Sequence, residues 1–96
     1  MQYSFETPIV EWRGPAPFYF AVTPDEVSQD ITSMAGSLSY GWGCIPVDVT
    51  IGDTTFYTAL IPREGAYFVP LKVAVRKAAG LGTDGVVALS VKLRGA

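Results

Sequence analysis

Phe18-Tyr19-Phe20-Ala21-Val22-Thr23-Pro24 and Ala66-Tyr67-Phe68-Val69-Pro70 are two versions of one phrase. Each is a short aromatic and aliphatic run of the kind that suits a pleated sheet. Each is closed by a proline, and a helical spacing of apolar residues follows. In the first copy Thr23 and Glu26 stand at capping-box distance, with Pro24 at the first helical position, where its missing amide costs nothing. Val27, Ile31, Met34 and Leu38 then recur at spacings of four, three and four, so an amphipathic helix is expected over 24–36, ending near Gly36. In the second copy Leu71, Ala74, Val75 and Ala78 form an apolar stripe against Lys72, Arg76 and Lys77, and Gly80 takes the residue position just past the helix.

Strand patterns surround both phrases. Tyr3 and Phe5 alternate with Ser4 and Glu6 in a segment running from Gln2 to Trp12, where Pro8 marks a bulge or an edge. After the turn Gly14-Pro15-Ala16-Pro17, Phe18, Phe20 and Val22 share one face. Val47, Val49 and Ile51 alternate with Asp48 and Thr50, and Gly52-Asp53 fits a two-residue hairpin into a strand from Thr54 to Ile61. Pro62-Arg63-Glu64-Gly65 turns the chain into Ala66–Val69, and Gly82-Thr83-Asp84-Gly85 turns it into a last strand with Val87, Leu89, Val91 and Leu93 inward. The order is β-β-α-β, then β-β-α-β again. We read this as an internal duplication about a pseudo-twofold axis, with chance likeness the competing account because few positions match. Six short strands and two short helices close into a small barrel, which leaves no exposed edge. The expected class is mainly β.

Composition agrees with one compact body over 1–96. Ninety-six residues bury roughly 60–65% of the surface that the unfolded chain exposes, enough for one modest core. Charged residues are 17% against a usual figure of about 25%, hydrophobic residues 49%, and the mean hydropathy is +0.29, which excludes a disordered chain. The formal charge is −2 and the pI about 4.8, which argues against a general pull toward nucleic acid. Histidine is absent and Cys44 is the only cysteine, so imidazole-based triads, most zinc sites and an intrachain disulfide are excluded. The longest uncharged stretch, Ile31 to Val47, is broken by Gly36, Gly41, Gly43 and Pro46 and does not suit a membrane span. Met1-Gln2-Tyr3-Ser4-Phe5-Glu6 does not read as a secretory leader, so a cytoplasmic location is expected.

Four residues stand out as a candidate ligand site. Lys72 and Arg76, four apart, share a helix face and offer an anion a point charge and a planar fork. The plainer account is that basic residues complement the negative end of the helix dipole. Tyr40 and Trp42 lie between glycines and make either a stacking platform or a plug for one end of the barrel. The aromatics Phe18, Tyr19, Phe20, Phe56, Tyr57, Tyr67 and Phe68 are expected mostly in the core. Cys44 reads as a small buried hydrophobe, and Asp25, Glu26 and Asp30 as charges at a helix start. No carboxylate pair or metal-ligand spacing appears, so no catalytic residue, metal or cofactor is assigned.

GPAPFYF at 14–20, TPDEV at 23–27, YGWG at 40–43, IPVDVTIG at 45–52 and VPLKVAVRKAAGL at 69–81 together resemble a small bacterial domain-of-unknown-function family, number nineteen-oh-five. The resemblance covers nearly the whole chain and implies a double-split β-barrel with no established activity. VPLKVAVRKAAGL with VVALSVKL is also similar to the half-barrels of AbrB-type regulators and MazE-type antitoxins, which pair two halves into a DNA-gripping dimer. Here both halves lie in one chain, so closure needs no partner, and a monomer or weak homodimer is expected. Thr83-Asp84-Gly85 departs from the usual Gly-Asp at the last turn. Two functions compete, with an enzyme working through Lys, Arg or Tyr chemistry a third reading that the absence of histidine disfavours. One is a non-catalytic module binding a small anionic or aromatic ligand, or a protein, through Tyr40, Trp42, Lys72 and Arg76. The other is a DNA-binding regulator using Arg76, Lys77, Lys92 and Arg94.

Overall fold

The computed structural model describes residues 2–12, 18–38 and 43–94. Its elements are β1 (Gln2–Trp12), β2 (Phe18–Val22), α1 (Asp25–Leu38), β3 (Ile45–Ile51), β4 (Thr54–Arg63), β5 (Ala66–Pro70), α2 (Val73–Ala79) and β6 (Val86–Leu93). The six strands close into one antiparallel barrel in the order β1-β2-β5-β4-β3-β6. Exchanging β1 with β4, β2 with β5 and β3 with β6 leaves that list of neighbours unchanged. The duplication legible in the two aromatic phrases is therefore a symmetry of the strand pairing.

Closure depends on the two long strands. β1 pairs with β6 from Gln2 to Pro8 and with β2 from Ile9 to Trp12. β4 pairs with β3 from Thr54 to Leu60 and with β5 from Ile61 to Arg63. Pro8 thus stands where β1 changes partner rather than on an edge, and the next amide, Ile9, donates to the carbonyl of Gly85 at 2.8 Å.

Inside, the alternating strands behave as their pattern dictates. Ile45, Val47, Val49 and Ile51 of β3 and Val87, Leu89, Val91 and Leu93 of β6 are buried, with Ala21, Ile31, Leu60, Tyr67, Val69 and Leu71 completing the core. β2 departs from expectation about which side faces in. Tyr19 and Ala21 face the core, so Phe18, Phe20 and Val22 share the outer face. Phe18 is 60% exposed and Tyr57 56%, so these two aromatics are surface residues. Phe68 is buried from outside the barrel, where Phe20 lies 5.3 Å and Trp12 6.5 Å from it, ring to ring. The Arg63 guanidinium covers Trp12 at 3.5 Å.

β2 and β5 are antiparallel neighbours, so the helices that follow them leave from opposite ends of the pair. Two bonds at the crossing obey the same exchange: Thr23 N donates to Tyr67 O, and Leu71 N to Tyr19 O, both at 2.9 Å. α1 runs two residues beyond Gly36. The capping box does not form. Thr23 Oγ1 instead accepts from Tyr67 N at 3.1 Å and lies 2.6 Å from Ser28 Oγ, because a tertiary donor reaches the hydroxyl from β5.

Candidate functional site

The second helix is placed by the residue before it. Leu71 is buried, and Val75 and Ala79, one and two turns further on, pack against the core. Since α2 begins at Val73, its inward stripe is Leu71-Val75-Ala79, and Ala74 and Ala78 are exposed instead of sharing it. Gly80 ends the helix as expected, with φ 70°, and Gly80 N bonds Lys77 O while Leu81 N bonds Arg76 O. Those two bonds make a Schellman motif, in which a residue without Cβ adopts the left-handed conformation at no steric cost. Lys72 stands at the cap with extended backbone and makes no side-chain capping bond.

Beside this helix start lies a groove of about 860 Å³. One wall is Phe18, Tyr19 and Phe20 of β2, the other Tyr57, Thr58, Ala59 and Ile61 of β4. Pro70, Leu71, Lys72, Val73 and Arg76 close one side, and Cys44 borders it. Val73 is 56% exposed, a large apolar surface left open at the rim. Lys72 and Arg76 both line the groove, and among the described residues no Asp or Glu does.

The two cations are held differently. Arg76 Nε donates to Leu71 O at 3.1 Å, and its guanidinium sits 4.4 Å from the Tyr19 ring centre. Side chains lean toward the helix N-terminus, which carries the charge away from the C-terminal carbonyls. Complementing the helix dipole is therefore not what Arg76 does. Lys72 makes no hydrogen bond or ion pair among the described residues. Tyr57 is covered by Arg94 at 4.4 Å, and Arg94 in turn holds Asp48 through two bonds of 2.7 and 2.8 Å. Those bonds keep the Asp48 carboxyl below its ordinary range and push Arg94 up.

Of the four candidate ligand residues, Lys72 and Arg76 come together on one groove, while Tyr40 and Trp42 lie outside the described residues. Cys44 is half-buried at the groove and not enclosed in the core. Phe18, Tyr57 and Val73 are lining residues that the sequence pattern did not single out. Among the described residues, no group of three or more His, Cys, Asp or Glu is placed to hold a metal, and no helix is long and apolar enough to cross a membrane.

Closed antiparallel pairing, two helices at opposite ends of β2 and β5, and a side groove define a small six-stranded barrel of double-split type. The family described as Domain of unknown function (DUF1905) matches residues 5–91, and the chain belongs to it. No curated protein and no solved structure matches the chain.

Proposed function

We propose that the protein is a non-catalytic binding module whose groove takes a small ligand with a flat apolar body and an anionic group. One observation carries this reading: in a chain of net charge −2, the described residues place two cations and no carboxylate around an apolar groove. Aromatic walls favour a planar body through stacking and area burial, and a cation in a partly desolvated wall attracts an anion more strongly than one in open water. The groove volume falls in the range of roughly 300–1,000 Å³ usual for small-molecule sites, which favours such a ligand over a protein partner.

The regulator reading loses two of its four contacts. Arg94 is engaged by Asp48, and Arg76 is turned onto Tyr19 inside the groove. Phosphate tracking needs cations that face outward together.

Native mass spectrometry of freshly purified protein tests the proposal. A co-purifying anionic small molecule, absent from a Val73→Glu variant that places a carboxylate at the rim, is the expected result. A salt-dependent DNA shift at low ionic strength, unaffected by Val73→Glu, would instead move the assignment to the regulator.

A further inference from the structure

Tyr19, Leu71 and Arg76 form a closed circuit of three contacts. Tyr19 O accepts from Leu71 N at 2.9 Å. Leu71 O accepts from Arg76 Nε at 3.1 Å. The Arg76 guanidinium returns to the Tyr19 ring at 4.4 Å. Leu71 itself is buried, so the carbonyl that orients Arg76 belongs to a backbone fixed by the core. A guanidinium has five N–H donors in one plane. Here one is used, a ring supports one face of that plane, and the Nη groups make no hydrogen bond among the described residues. No buried side-chain nitrogen or oxygen among them lacks a partner, so those Nη groups are open to solvent or to a ligand.

This is a fork whose orientation is set before any ligand arrives. A pair of parallel N–H bonds matches the two oxygens of a carboxylate in plane, and a prepositioned side chain loses less rotamer freedom on binding. We infer that the Arg76 Nη edge recognises a carboxylate and that the ligand of the groove is an aromatic monocarboxylate. Its ring lies between the aromatic walls at Phe18 and Tyr57, and Lys72 adds a non-directional charge at the same end. The inference rests on the groove being the binding site and adds to it the headgroup and the residue that reads it.

Titration of the intact chain with 2-naphthoate, 2-naphthamide and 2-naphthyl phosphate separates the possibilities. The expected result is that 2-naphthoate binds at least about tenfold more tightly than the amide, the ratio usual for a hydrogen-bonded charge. In Arg76→Lys, which keeps the charge but loses the fork, that preference should shrink severalfold through weaker binding of 2-naphthoate, with the amide affected less. A merely structural role for Arg76 would instead weaken all three ligands together. In the unsubstituted chain, the Arg76 Nε–H resonance should be protected from exchange, and titration with 2-naphthoate should shift the Nη signals, which requires no variant to fold. Equal binding of amide and carboxylate, or an undiminished preference in Arg76→Lys, would discard the fork and leave the groove. Tighter binding of the phosphate, which a guanidinium fork also takes bidentately, would keep the fork and overturn the carboxylate as the group it reads. If none of the three binds, the groove reading fails together with the inference.

Discussion

Thr23 and Leu71 occupy equivalent places in the two halves of the barrel, each directly after an aromatic strand and each bonding a tyrosine carbonyl of the opposite strand. What their side chains do differs. At Thr23 the position is polar: Ser28 Oγ donates to Pro24 O at 2.9 Å, which leaves Thr23 to donate to Ser28 and to accept from Tyr67 N. That hydroxyl chain anchors α1, a helix of 14 residues. At Leu71 the position is apolar, α2 has only 7 residues, and the side chains facing outward at its start border the groove. The symmetry is thus a property of backbone pairing, and the groove is assigned where the halves diverge. Keeping the junction while changing its side chains keeps the barrel closed and leaves a groove open beside α2.

The sharpest way to break the comparison is at Leu71. Leu71→Ala removes a buried side chain from a packed site and should cost about 2–5 kcal/mol, read from the denaturant midpoint. It should also loosen the Arg76 orientation, because the buried side chain holds the backbone whose carbonyl, still present in Ala, accepts from Arg76 Nε. Thr23→Val is the matching test in the other half. It leaves the buried Tyr67 amide without its hydroxyl acceptor and should cost about 1–3 kcal/mol, whereas Thr23→Ser should cost less because the hydroxyl is retained. If Thr23→Val proves the more damaging of the two, the apolar junction is not the stronger anchor.

The same contrast explains how much was legible in advance. β3 and β6 alternate cleanly, so the burial of Val47, Val49, Val91 and Leu93 follows from period two alone. β2 is apolar on both sides: Tyr19 and Ala21 go in, Phe18 and Phe20 go out, and periodicity has nothing by which to choose between them. The outward aromatics are therefore invisible as groove walls until β4 is seen across from them. At α2 the spacing points to a helix and Gly80 to its end, but Leu71 is buried before the helix begins and rotates the inward stripe. Arg76 was legible as a candidate by charge and spacing. Its direction was not, since the partner ring, Tyr19, lies far away in sequence and meets it only through barrel closure.

A gain in stability is expected at the β4–β5 connection. Arg63 pairs with Ala66, so the turn is Glu64-Gly65, with φ of 53° and 79°. Positive φ at both places suits a type I′ turn, for which Asn-Gly is preferred and an ordinary L residue at the first place is strained. Glu64→Asn should therefore stabilise the fold by up to about 1 kcal/mol, measured by thermal or chemical unfolding. Gly65→Ala should act in the opposite direction.

The smallest effect is expected from the ion pair on the β3–β6 side. Asp48–Arg94 is the one salt bridge among the described residues; it joins β3 of the first half to the end of β6 of the second, and exact twofold symmetry would supply another. Both groups are partly exposed, and exposed pairs add little because solvent screens them and two side chains lose freedom. The sign of the contribution still follows from the titration. Hydrogen bonding by Arg94 holds the folded Asp48 carboxyl below its unfolded value. The contribution is present above the ordinary carboxylate range and fades as pH falls through the depressed folded value, where both states are protonated. Unfolding free energies of the unsubstituted chain and Asp48→Asn should thus differ slightly at neutral pH and converge in acid. High salt at neutral pH should narrow the same difference. A gap that persists in acid would assign the role of Asp48 to shape or hydrogen bonding and not to charge.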